Sequence, residues 1–257
     1  MEPSVVHLLL AMGAAFLAGG INSVAGGGTL VTFPALLALG VPPIAANATS
    51  TVAIWPGTLG SMWGFRREIA QVPSKMRLLA IPAVLGGLLG AFLLRCTPAA
   101  LFAHLVPFLI LFATILFAVQ APVQKRLHLV GGAGPRSATW VAGATLGGFA
   151  VGIYGGYFGA GMSIMLLTAL AFMGMEDILQ MSAMTSFLSF CTNGVASILF
   201  AASHMVVWSY VFAMMAAALF GGWAAAGVAR RVGRVMVRRF VILVGLTIAV
   251  MLFARMA

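Results

Sequence analysis

The sequence predicts an all-α, polytopic helical membrane protein, built as two inverted repeats of about five hydrophobic segments each, with Gly-interrupted helix pairs. Three observations carry that expectation. The chain is 62% hydrophobic and only 7% charged, its mean hydropathy is +1.12, and its apolar runs fall into two sets of five. Soluble domains carry about 25% charged residues, so this chain cannot cover its own surface in water and its solvent is lipid. At about 20 residues per membrane helix, its 257 residues form a single membrane domain with no room for a separate soluble one.

The first half, residues 1–128, has apolar runs at 5–21, 29–41, 44–65, 78–95 and 100–120. The opening MEPSVVHLLL carries Glu2 and no basic residue, so it lacks the basic start of a cleavable signal and the first run is expected to remain. The second half, 136–257, has runs at 138–157, 161–174, 179–202, 206–228 and 238–254. In both halves the second run is too short to cross a bilayer comfortably alone, and a glycine cluster precedes it. Ala25-Gly26-Gly27-Gly28 lies over Phe158-Gly159-Ala160-Gly161 at an offset of 133. In the third run the offset is 135: Asn47 meets Ser182, Ser50 meets Thr185, Thr51 meets Ser186 and Thr58 meets Asn193. These matches make the chain an internal repeat.

Charge sets the sidedness. If each Gly-rich pair of runs leaves and returns to one side, the loops at 66–77, 121–137 and 229–239 share a face. That face then holds twelve of the fourteen Lys and Arg, leaving only Arg95 and Arg255 opposite. A re-entrant short run beside a crossing neighbour would instead split them eight to six. The positive-inside rule favours the first arrangement, which puts the N-terminus outside and turns the second half over relative to the first. Inverted halves are a common construction of secondary transporters. The net charge of +10 is thus a topology signal, and no nucleic-acid partner is expected.

The third run of each half carries a polar stripe. On a wheel of 100° per residue, Ser50, Thr51, Thr58 and Ser61 fall within about 60° of Asn47, and Thr185, Ser186, Ser189 and Asn193 within about 60° of Ser182. Such stripes face the bundle interior or a wet cavity, although a hydroxyl can also bond back to its own helix. An Asn cannot satisfy its four hydrogen-bonding sites that way. The glycines at 26–28 and 159–161 each precede a helix restarting near Thr29 or Met162. There the first N–H groups lack intrahelical partners and the dipole is positive, which suits an anion. A bulky residue at Gly27 is expected to abolish flux with the fold intact. Gly86-Gly87-Leu88-Leu89-Gly90 and Gly143-Ala144-Thr145-Leu146-Gly147 are read instead as close helix packing.

Other chemistry is sparse. The acidic residues Glu2, Glu68, Glu176 and Asp177 all sit near segment ends, and no HExxH or nucleophilic triad is present. His7, His104, His128 and His204 are scattered near run ends. Cys96 and Cys191 lack metal or disulfide spacing and are expected to be small buried hydrophobes. No enzyme activity, metal or cofactor is expected.

Gly19-Gly20-Ile21-Asn22-Ser23-Val24-Ala25-Gly26-Gly27-Gly28, Pro34, Ala46-Asn47-Ala48-Thr49-Ser50 and Gly152-Ile153-Tyr154-Gly155-Gly156-Tyr157-Phe158-Gly159-Ala160-Gly161 resemble the sulfite exporter TauE/SafE family over nearly the whole chain. The resemblance implies a permease of the bacterial cell inner membrane, moving small sulfur-containing or organic anions such as sulfite or sulfonates. It also implies a substrate region at Asn22, Gly26, Gly27, Gly28, Thr29 and Asn47, and at Gly159, Gly161 and Ser163. The polar stripes add Thr51, Ser182, Ser186 and Asn193. Because Met162 stands opposite Thr29, the two half-sites are expected to be chemically unequal. The expected partners are a small anion and the lipid bilayer, with transport by alternating access. Alternatives are an anion channel, a carboxylate permease or a non-transporting membrane scaffold.

Overall fold

A computed structural model of the chain describes residues 3–24, 27–72, 77–78, 80–130, 138–173, 175, 177–232 and 234–254. Among them are eleven helices and no strand. They are α1 (Val5–Val24), α2 (Thr29–Ala38), α3 (Pro43–Gly64), α4 (Arg66–Gln71), α5 (Ala80–Cys96), α6 (Ala99–Val130), α7 (Ala138–Tyr157), α8 (Met162–Phe172), α9 (Ile178–Ala202), α10 (Trp208–Val232) and α11 (Arg234–Ala254). Stretches in α1, α6 and α9 are long and apolar enough to cross a membrane, and α2, α5, α8, α10 and α11 supply shorter apolar segments.

Each apolar run became a helix, with instructive differences at the ends. The basic stretch after residue 120 was expected to be a loop, yet α6 continues to Val130 and carries Lys125 and Arg126. The stretch 229–239 is likewise mostly helical, shared between α10 and α11. Hydropathy marks where lipid ends; it does not mark where backbone hydrogen bonding ends. The short α4, which hydropathy did not reveal, holds exposed Arg66 and Arg67.

Packing follows a correspondence between the halves. α1 packs along α10 as α7 packs along α5, and α3 meets α10 as α9 meets α5. The two tight crossings use matching residues. A Cβ on Gly19 would strike the Ala218 carbonyl, and one on Gly221 the Phe16 carbonyl. Likewise a Cβ on Gly152 would strike the Ala83 carbonyl, and one on Gly86 the Phe149 carbonyl. Glycine at these points lets helix backbones touch, which is how packing is won in lipid, where burial of apolar surface drives little. Gly86 thus fulfils its expected packing role. Gly143 and Gly147 do not, since a Cβ at either would meet nothing among the described residues within 4 Å.

Two further pairs show the chain directions. Between α6 and α11, Phe108 meets Phe253 at 5.0 Å and Thr114 lies against Gly245, so the helices are antiparallel. Between α3 and α9, Trp55 stacks on Phe190 at 5.5 Å and donates to its carbonyl at 3.1 Å. Thr49 near the start of α3 accepts from Val207 N just beyond α9, whereas α4, following α3, packs on α9. Val72, next after α4, belongs to the same apolar cluster as Met181 and Met184 near the start of α9. These two helices are therefore antiparallel as well. Trp55 and Phe190 are themselves equivalent at the offset of 135.

Candidate functional site

The first glycine turn is closed by its own side chains. Gly27 has φ +100°, a left-handed conformation open to glycine at no steric cost, and the chain reverses there from α1 into α2. Asn22, in the last turn of α1, accepts a hydrogen bond from Gly28 N at 2.7 Å. Leu30 N donates to the Gly27 carbonyl, and Val31 N and Thr32 N donate to that of Gly28. Most donors of this helix start are thereby used. Thr32 Oγ1 lies 2.6 Å from Ser50 Oγ and ties α2 to α3. A Cβ on Gly27 would come within 2.5 Å of the buried Phe117 ring, so a bulky residue there would displace this ring. That corrects the expectation that such a substitution leaves the fold intact.

The second turn is built differently. Phe158 N and Gly159 N donate to the Tyr154 carbonyl at 2.9 and 3.1 Å, ending α7. Gly159 and Gly161 are both left-handed, with φ +77° and +79°. Tyr154 reaches forward, its hydroxyl donating to the Ala160 carbonyl at 2.6 Å. Met162 N bonds the Gly159 carbonyl and Ile164 N the Gly161 carbonyl. These bonds leave the N–H groups of Ala160, Gly161 and Ser163 outside them. Ser163 is half-buried.

Both turns rest on the middle of α6. Phe117 backs Gly27, while Ala113 and Leu116 face Gly161. Phe33 of α2 meets Phe158 edge-on at 5.3 Å, so α2 reaches the second glycine turn directly.

Two asparagines stand beside that second turn. Asn47 is 1% exposed, and its Nδ2 donates to the Tyr157 carbonyl at 3.0 Å. The carbonyl needs a donor, which fixes the amide orientation and turns Oδ1 away. Among the described residues Asn47 Oδ1 is buried without a partner. Leaving a buried acceptor unpaired costs about 1–3 kcal/mol, so this atom calls for a role. Asn193 is half-buried, with Oδ1 3.7 Å from where a Cβ on Gly159 would lie.

The thirteen expected site residues therefore separate into groups. Asn47, Gly159, Gly161, Ser163 and Asn193 gather at the second turn. Asn22, Gly27, Gly28 and Thr29 form the first, and Gly26 lies outside the described residues. Thr51 Oγ1 donates to the Asn47 carbonyl at 2.9 Å, and Ser186 Oγ donates to that of Ser182 at 2.9 Å, so both hydroxyls are bonded back along their own helices. Ser182 lies eleven residues before Asn193 in α9, about 16 Å along the axis. With α3 antiparallel, Ser182 and Ser186 point to the end of the bundle remote from Asn47. A wheel gives the face of a residue but not its depth.

Tyr154, Tyr157 and Phe117 were missed as parts of the site. The signal was available in the tyrosines: two of the chain's three stand three apart, just ahead of the second glycine cluster. Elsewhere, Cys96 is exposed, contrary to its expected burial, and Cys191 is half-buried. His7, His104 and His204 are exposed, and His128's side chain is outside the described set. Asp177 caps α9, accepting from Leu179 N at 2.8 Å. Among the described residues no group of three His, Cys, Asp or Glu could hold a metal ion.

Known proteins align with this arrangement over its length. The family model for the sulfite exporter TauE/SafE matches residues 11–252. A probable membrane transporter protein of Haemophilus influenzae is 28% identical, covering 95% of this chain and 93% of its own. A probable membrane transporter protein ORF9 of Sinorhizobium sp is 27% identical, covering 99% and 95%. The probable membrane transporter protein YfcA of Escherichia coli K12 is 25% identical, covering 90% and 83%. No solved structure matches the chain. The match runs through both glycine turns and every close helix crossing, and the chain belongs to the sulfite exporter TauE/SafE family of membrane transporters.

Proposed function

We propose that this protein is a secondary transporter of a small sulfur-containing or organic anion, such as sulfite or a sulfonate, in the bacterial inner membrane. Its halves, 1–128 and 136–257, are inverted, the N-terminus is periplasmic, and alternating access moves the anion between two sides. The antiparallel pairs α3–α9 and α6–α11 support inversion, because equivalent helices that run oppositely are related by an axis across the helices.

The observation that carries the anion reading is the second turn. Three backbone N–H groups at Ala160, Gly161 and Ser163 stand outside the turn's own bonds, at a helix start, beside Asn193. Donors of this kind bind an anion without a fixed cation, which keeps affinity compatible with release. Purified protein in proteoliposomes tests the proposal. Saturable uptake of sulfite or a simple sulfonate is the expected result. Conductance without saturation would make it a channel, uptake only of carboxylates would change the substrate, and no flux would leave a scaffold.

A further inference from the structure

Asn47 lies at the second turn but has the wrong polarity for a bare anion. Among the described residues its Oδ1 is an acceptor sealed from solvent and without a partner, held in place because Nδ2 is committed to the Tyr157 carbonyl. An oxyanion that is fully ionised would place oxygen lone pairs against it. A singly charged anion that still carries one proton offers the donor this oxygen lacks. We infer that Asn47 makes the site selective for monoprotonated oxyanions, hydrogensulfite being the simplest sulfur example. This deepens the anion reading above and rests on it.

Charge points the same way. The side chains around the turn on α3, α7 and α9 include no Lys or Arg, so a second negative charge would be buried uncompensated, at high cost. Selecting the protonated form also gives the protein a carried proton without a carboxylate relay. Of the described acidic groups, Glu68 lies in α4 and Asp177 caps α9, both away from Asn47. The proton rides on the substrate, and Asn47 reads it. Discrimination by such a buried group is strong, because the analogue lacking the donor leaves the acceptor unpaired.

Titratable and charged groups on the elements packed near Asn47 are Tyr154 and Tyr157 of α7, Cys191 of α9, Tyr210, Arg230 and Arg231 of α10, His7 of α1, His104, Lys125, Arg126 and His128 of α6, and His204 beyond α9. Methanesulfonate, which stays singly charged and has no donor, reports any titration of these. Binding of sulfite and of methanesulfonate to the purified, detergent-solubilised protein is therefore measured across the second ionisation of sulfurous acid. Sulfite affinity, expressed for total sulfite, is expected to fall about tenfold per pH unit above that ionisation. Methanesulfonate is expected to bind at least about tenfold more weakly, on a flat curve. In N47L the two ligands are expected to bind within about twofold of each other.

Sulfite affinity that rises with pH, or methanesulfonate binding as tightly as sulfite to the wild type, would overturn the inference and leave the anion transporter standing. Both results are read on the wild type, so they hold even if N47L fails to fold. No binding of either anion at any pH would overturn the anion reading itself, and this inference with it.

Discussion

The two glycine turns occupy equivalent places in the halves, yet they are finished in different ways. The first is closed by Asn22, sealed by Phe117 and tied to α3 through Thr32 and Ser50. The second replaces Asn22 with Gly155 and Thr29 with Met162 at the offset of 133, uses two left-handed glycines, and keeps three N–H groups clear of its own bonds. A duplicated motif need not be a duplicated function. On the reading proposed above, the first turn serves as a structural hinge and the second as the receptor for the anion.

The largest test of that contrast is G27L. With φ +100° and Phe117 in the way, the variant is expected to lose about 3 kcal/mol or more of stability, read as a collapse in thermal melting in detergent. Next comes N22A. Removing the acceptor of Gly28 N is expected to cost about 2 kcal/mol, while sulfite affinity of the folded fraction stays within about twofold of wild type. N193A should invert that pattern. Its melting temperature is expected to stay near wild type, since among the described residues Asn193 makes no hydrogen bond, and its sulfite affinity to fall about tenfold, or about 1.4 kcal/mol. The smallest effect belongs to S186A, expected to change stability by about 0.5 kcal/mol or less and affinity not at all. If N22A lost affinity and N193A did not, the roles of the turns would be exchanged.

Much of this was legible in the sequence, and what was not has physical reasons. Apolar runs placed the helices, because lipid demands continuous apolar surface and internally satisfied backbone. The offset between halves was readable from Gly26 and Asn47, and it extends to Trp55 and Phe190, which meet each other. Two kinds of information were hidden. Periodicity put Ser182, Ser186 and Asn193 on one face of α9, but depth depends on the antiparallel crossing with α3, which no local pattern encodes. Glycine spacing could not separate Gly86, which touches the Phe149 carbonyl, from Gly143, which faces open space, because close approach is a property of the partner helix. The Asn22 bond to Gly28 was equally unreadable, since it joins residues six apart across a turn. It is what makes the first turn self-sufficient.

The most direct measurement of the central claim compares thiol labelling at the two turns. In a background carrying Cys96→Ser and Cys191→Ser, T29C and S163C are labelled in proteoliposomes with and without sulfite. With both variants labelled side by side, so that reagent consumed by the nucleophilic sulfite cancels, sulfite is expected to lower the labelling of S163C severalfold relative to that of T29C. Protection of T29C alone, or of neither position at saturating sulfite, would contradict that claim.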